Sequence, residues 1–222
     1  MSLPILYNNW RSSCSWRTRI ALEWKNIKYE YRAVNLSEGE QNDKKHLDLN
    51  PSGLVPVFIF NGKTYTESMA IIEFLEEKFP EKRRLLPESS EDRAVIRSLA
   101  YQITSNIQPI QNMRIRNKVG ENDPKRIAEF VKYVTEKGFD PLEKELQKTS
   151  RIYAFGNIVT LADIVIPSQV ANAVRYGVDM EKYPTIKRIN ETLGSLPEFI
   201  KADCWHQHDT PENKRKVFND LI

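Results

Sequence analysis

Ser12, Ser13 and Cys14 set two hydroxyls and a thiol side by side in the stretch RSSCSWRTRIAL (11–22), directly ahead of an apolar-periodic segment. Small polar residues at a helix start cap its free backbone N–H groups. The same N–H groups and the helix dipole favour an anion, such as a thiolate or a carboxylate, at that end. Spacing alone leaves both roles open. The tetrad CSWR (14–17) stands where a thioredoxin-like chain carries Cys-x-x-Cys. Its last position is Arg17, so an internal dithiol–disulfide cycle is excluded.

Other groups suit ligand recognition. Val55–Pro56 marks a strand edge, or a cis bond that leaves the Val55 backbone groups available to an extended peptide. Ser68, after Thr66 and Glu67, either caps a helix or holds a ligand carboxylate together with the helix N–H groups. Gln108 and Asn112 lie at i and i+4, on one helical face beside an expected kink at Pro109. The planar fork of Arg175 suits a carboxylate. His46, His206 and His208 and the two cysteines, Cys14 and Cys204, have no metal-ligand spacing, so no metal is expected.

These groups must be held by elements of two kinds. PILYNNW (4–10) and YEYRAVNL (29–36) read as strands around a helix in which Trp16, Ile20, Ala21 and Trp24 share a face. VPVFIF and KTYTES flank Asn61-Gly62, a hairpin signal. Ser68 opens a helix with Ile71, Ile72, Leu75 and Phe79 as its stripe, ended by Pro80. KFPEKRRLLPESS (78–90) reads as a linker, with a domain boundary near Leu86. Beyond it the pattern is helical, with Gly138 expected to break one helix. Thr160 and Asp163 form a capping-box variant. The expected architecture is α/β plus all-α: residues 1–85 as a small mixed sheet with helices, and 91–222 as a helical bundle.

The bulk numbers exclude several classes. Of 222 residues, 40% are hydrophobic and 28% charged, ordinary for a globular protein. The net charge of +3 is dispersed, which argues against nucleic acid. No apolar run approaches the ~20 residues of a membrane span, and the N-terminus lacks a signal-peptide pattern. A reducing, cytoplasmic setting is the expectation.

SSCSWRTRIAL, NPSGLVPVF, ESMAIIEFLEE and RLLP, followed by IQPIQNMR, VTLADI and QVANAVRYGVD, closely resemble the zeta-class glutathione transferases, from about Pro4 to about Pro197. The resemblance implies a thioredoxin-like domain that binds glutathione, a helical domain that shapes a second-substrate pocket, and a homodimer. The implied activity is the glutathione-dependent cis–trans isomerisation of maleylacetoacetate, a dicarboxylate diketo acid, with transferase and α-halo acid dehalogenation as side activities. Ser12 is then the hydroxyl aimed at the glutathione sulfur, and Ser13, Cys14 and Arg175 complete the catalytic set. Ser15, Trp16, Arg17, Gln41, Val55, Glu67, Ser68, Gln108, Asn112, Met113 and Arg114 fall at cofactor-binding positions. Two rivals stand beside it: a thiol transferase working through Cys14, and a non-catalytic interaction module of the same fold. The sequence departs from the family at Asn8-Asn9, at Leu54 and in a longer tail, NKRKVFNDLI (213–222).

Overall fold

The computed structural model describes residues 3–215. Strands β1 (Ile5–Asn8), β2 (Glu30–Ala33), β3 (Val57–Phe60) and β4 (Lys63–Tyr65) form one mixed sheet in the order β2-β1-β3-β4. β1 and β2 are parallel, as the intervening helix α1 (Ser13–Trp24) requires. β3 runs antiparallel to both β1 and β4. Asn61 and Gly62, at φ 50° and 74°, close the β3–β4 hairpin. The short helix α2 (Lys44–Leu47) precedes β3, and α3 (Ser68–Lys78) follows β4. Ile71, Ile72 and Leu75 of α3 are fully buried.

The α1 sequence gives a weak apolar stripe because the helix is buried on every side. Every residue from Ser15 to Leu22 is buried, including Arg17, Thr18 and Arg19. One neighbour is α3; the other is α9 (Pro197–Ala202), from the far end of the chain. A buried ion pair, Lys25 Nζ to Glu76 at 2.6 Å, ties the end of α1 to α3.

The chain divides into two compact units. Residues 3–84 together with 196–215 form the first, and 85–195 the second. The helical domain expected over 91–222 therefore stops at 195. The remainder joins the sheet unit because the buried Arg19 guanidinium donates to the Ala202 carbonyl at 2.9 Å.

The second unit contains α4 (Ser90–Tyr101), a π-helical segment (Gln102–Ile107), α5 (Met113–Val119), α6 (Pro124–Thr149), α7 (Leu161–Arg175) and α8 (Pro184–Gly194). The break expected at Gly138 does not occur; α6 runs straight through it. A Cβ at Gly138 would lie 2.2 Å from Ile107 Cγ1, so this glycine admits the π-helical segment against α6. The Thr160/Asp163 capping box forms: Asp163 accepts the Thr160 N–H and hydroxyl, each at 2.8 Å. Among the described residues no helix is long and apolar enough to cross a membrane. No cluster of three His, Cys, Asp or Glu side chains there is placed to hold a metal.

Candidate functional site

The approach to α1 is a tight turn written by Asn9. Its side-chain oxygen accepts the Arg11 N–H at 3.1 Å, and its carbonyl accepts the Ser12 N–H at 3.2 Å. Its amide nitrogen donates to the Val34 carbonyl beyond β2 at 3.0 Å. Of the two asparagines that depart from the family pattern, Asn9 builds the turn, while Asn8 ends β1 and accepts from Arg19 at 2.9 Å. Asparagine before a helix start was the available signal.

Ser12 is the N-cap of α1. Its Oγ accepts the Ser15 N–H at 3.3 Å, and its carbonyl accepts the Trp16 N–H at 2.8 Å. As the cap uses a lone pair, the hydroxyl proton is left to donate elsewhere. Ser13 and Cys14 are half-buried on the first turn of α1. The N–H groups of that turn have no carbonyl within the helix to pair with.

Arg17 joins two of the predicted positions. Its Nε donates to Ser68 Oγ at 2.8 Å, and its Nη2 lies 3.1 Å from Cys14 Sγ. Ser68 is not the helix cap; it is the first helical residue of α3, and Glu67 stands at the N-cap with φ 64°. Trp16 is buried, with its ring edge-on to Trp205 at 5.2 Å. Ser15 is buried beneath the turn, its Oγ accepting the Asn9 N–H at 3.4 Å.

The Val55–Pro56 bond is cis. The preceding Leu54 carbonyl is anchored by His46 Nε2 at 3.0 Å and Asn50 Nδ2 at 2.9 Å. Gln41, on a 3-10 turn (Glu40–Asn42), has a buried Oε1 without a hydrogen-bond partner. Cys204 is buried, and burial pushes its thiol up to about 12, which disfavours the nucleophilic thiolate there.

The remaining predicted residues belong to the second unit. Gln108 and Asn112 do not share a helical face. The π-helical segment ends at Ile107, and residues 108–112 turn, with the Asn112 N–H donating to the Pro109 carbonyl at 3.2 Å. Asn112 caps α5 instead, its Oδ1 accepting the Arg114 N–H at 3.1 Å. Met113 and Arg114 are exposed on the first turn of α5. Gln111, which no local sequence signal marks, is buried in the same turn. It donates to Thr135 Oγ1 at 2.5 Å and accepts from Asn172 at 2.5 Å and Gln169 at 3.2 Å. That network fixes the turn bearing Gln108 and Asn112 to α6 and α7. Arg175, exposed at the end of α7, holds its guanidinium 5.6 Å from the Tyr176 ring centroid. Arg116, likewise unmarked in the sequence, faces the same ring and donates to the Tyr176 hydroxyl.

Residues 11–78 match the family described as glutathione S-transferase, N-terminal domain. Maleylacetoacetate isomerase of Dictyostelium discoideum is 42% identical over 209 residues, covering 92% of this chain and 95% of that protein. A solved holo structure of maleyl pyruvate isomerase, a bacterial zeta-class glutathione S-transferase, superposes with a TM-score of 0.90 at 36% identity, covering 93% of this chain and 100% of the other. Maleylacetoacetate isomerase of Anaeromyxobacter dehalogenans 2CP-1, solved with glutathione in its active site, gives 0.85 at 38% identity, covering 94% and 98%. A thioredoxin-like sheet unit and a helical unit accord with the glutathione S-transferase fold. The chain belongs to that family, in its zeta class, alongside proteins named maleylacetoacetate isomerase.

Proposed function

We propose that the protein is a glutathione-dependent enzyme that isomerises maleylacetoacetate to fumarylacetoacetate. The observation that carries the reading is Ser12: its lone pair caps α1 while its proton remains available, at the end of a helix where an anion is favoured. The residues present fit glutathione. Ser68 and Arg17 offer a hydroxyl and a guanidinium for a carboxylate, and the orphaned Gln41 Oε1 is an acceptor waiting for a donor such as a ligand N–H. Val55 would offer its backbone to the peptide, with Glu67 near the γ-glutamyl amine; Gln108, Asn112, Met113 and Arg114 would be further contacts of the cofactor.

Bound glutathione supplies the chemistry, a sulfur nucleophile able to add reversibly to a carbon–carbon double bond activated by neighbouring carbonyls. Ser12 would donate to that sulfur and favour its ionised form. Ser13 and Cys14 shape the surrounding turn, and Arg17 keeps Cys14 and Ser68 in register. Arg175 would anchor a substrate carboxylate while the other half of the molecule rotates. The same site would accept α-halo acids, whose carboxylate meets the same anchor. The reading carries with it a cytoplasmic homodimer, which light scattering after gel filtration tests.

The decisive experiment is the isomerisation of maleylacetone, a stable analogue, with and without glutathione. Turnover should require glutathione and fall about a hundredfold in Ser12→Ala, the usual cost of losing one oriented donor to a developing anion. Glutathione-independent turnover, or an unimpaired Ser12→Ala, overturns the reading.

Arg17 beside Cys14 motivates one rival. In it the Cys14 sulfur bonds to one sulfur of oxidised glutathione and the other departs as reduced glutathione. A persistent mixed disulfide seen by mass spectrometry, with activity abolished in Cys14→Ala, would bring that rival forward. Absence of glutathione binding by calorimetry would instead favour a non-catalytic module.

A further inference from the structure

The segment after α9 reaches the turn that leads into Ser12 through one carboxylate, that of Asp209. The Trp10 N–H donates to Asp209 Oδ2 at 3.1 Å, while the Trp10 carbonyl accepts from Arg19 Nη2 at 2.9 Å. Both backbone polar groups of Trp10, two positions before Ser12, are therefore held by side chains, one from α1 and one from 199 positions along the chain. The other Asp209 oxygen, Oδ1, accepts the Tyr31 hydroxyl at 2.6 Å. That bond fixes the carboxylate's orientation, so the two oxygens serve two different elements.

Asp209 is itself rigidly mounted. The His208 ring meets Tyr31 edge-on at 4.4 Å. Thr210 Oγ1 donates to the Cys204 carbonyl at 2.8 Å, and Gln207 Nε2 donates to the carbonyls of Lys201 and Asp203 at 2.9 and 2.6 Å. Asp203 in turn accepts the N–H groups of Trp205 and His206, at 2.8 and 2.9 Å. Residues 203–210 thus form a knot of local bonds with one carboxylate projecting onto the catalytic turn. On the other side of that turn, Arg19 Nη1 holds the Asn9 carbonyl at 3.1 Å and Asn8 Oδ1 at 2.9 Å.

We propose that Asp209 is a positioning residue of the active site, which sets the Ser12 hydroxyl through the Trp10 amide. The inference rests on the glutathione reading above. It assigns the C-terminal segment a part in that site which neither motif nor family likeness supplied. The physical argument is one of tolerance. A turn of four residues leading directly to the reacting hydroxyl passes any shift on to it, and misplacement by about 1 Å can cost on the order of a hundredfold in rate. A charge-assisted hydrogen bond to a backbone amide is a stiff restraint against such a shift.

The test uses Asp209→Ala, Asp209→Asn and Tyr31→Phe in the full-length protein. In Asp209→Ala, kcat/KM for glutathione should drop about tenfold, within the range that misplacement produces. Its pH–rate profile should move its acidic limb to higher pH, since a displaced Ser12 stabilises the ionised sulfur less well. Hydrogen exchange of the Trp10 amide should accelerate in the ligand-free protein. Asp209→Asn, whose amide oxygen can still accept the Trp10 N–H, should recover most of the loss. Tyr31→Phe should fall between the two. A purely structural role would lower the melting temperature without moving the pH profile, and that result overturns the inference. So does a pH profile and exchange rate in Asp209→Ala matching the wild type. If Asp209→Ala does not fold, the comparison of Asp209→Asn with Tyr31→Phe decides by the same readouts. Failure of the parent protein to bind glutathione by calorimetry overturns the functional reading and this inference together; normal binding with an unmoved profile overturns this inference alone.

Discussion

Cap and catalyst are compatible at Ser12 because a hydroxyl accepts and donates through different parts of the same atom. The two roles separate by substitution. Ser12→Ala should lose about 1 kcal/mol of stability for the missing cap, read by urea unfolding, on top of its loss of turnover. Ser12→Thr, which keeps a capping hydroxyl, should restore the stability and part of the turnover. Asp163 gives a second residue-level expectation. Burial pushes its carboxyl up to about 6, against the hydrogen bonds from Ala154 and Thr160 that favour the anion. In the unfolded chain an aspartate titrates near ~4, so between about pH 4 and 6 the native state holds the proton more tightly. The stability this group contributes is present below that window and declines as pH rises through it, by about 3 kcal/mol. A carbon NMR titration of the Asp163 carboxyl should find its midpoint near 6; a midpoint near 4 would remove the effect. Residue types were the legible part of the proposed site: the serine pair, the cysteine, Ser68 and Arg175 stand out in the sequence, while their roles there come from the family resemblance. Arg17 and Arg19 did not declare their burial, because a guanidinium reads as solvent-facing until its acceptors, such as the Ala202 carbonyl 183 positions away, are known.

Elements were legible where local signals agreed and failed where a distant contact decided. The β-α-β order, the Asn61-Gly62 hairpin and the Thr160/Asp163 box follow from turn and capping chemistry within a few residues. Gly138 and Gln108/Asn112 misled for opposite reasons. Glycine weakens helices in isolation, yet here it is kept for the approach of Ile107. The i, i+4 pair presumed a continuous helix that residues 108–112 replace with a turn. Gly138→Ala discriminates sharply between local and tertiary control. Helix propensity alone predicts a gain of about 1 kcal/mol. The added methyl would instead meet the fully buried Ile107 side chain, and overpacking of this kind costs about 1–3 kcal/mol. The expected result is net destabilisation. Combining Gly138→Ala with Ile107→Ala should cost less than the sum of the two single changes, and strict additivity would show that the two residues do not compete for space.

At the scale of the molecule, the first compact unit is built from both ends of the chain, and this was the least visible feature in the sequence. Residues 196–215 read as the end of a helical domain, since nothing local distinguishes α9 from the helices before it. What returns them to the sheet unit is a set of unlike contacts. Arg83 lies 4.0 Å over the Trp24 ring and pairs with Glu198 at 2.5 Å. Phe199 meets Trp24 edge-on at 6.3 Å, and Trp205 meets Trp16. Arg19, fully buried, is held there by backbone carbonyls from both ends of the chain. Burial alone lowers the pKa of that guanidinium, a sign that the site is costly for a charge and depends on its acceptors. A chain ending at Ser195 therefore loses more than the apolar cover of α1. It strips the Ala202 acceptor from a buried cation and exposes the aromatic face of Trp16 and Trp24 to water. Losing one hydrogen bond to a charged group costs about 1.5–3 kcal/mol, a sizeable share of the stability of a small domain. The truncated protein should therefore show early, cooperative loss of the sheet unit in urea, followed by tryptophan fluorescence. Arg19→Met in the truncated chain, which removes the stranded charge, should recover part of that loss. Equal unfolding midpoints for the truncated and full-length chains would mean that the N-terminal 84 residues close their own core without help from the C-terminal segment.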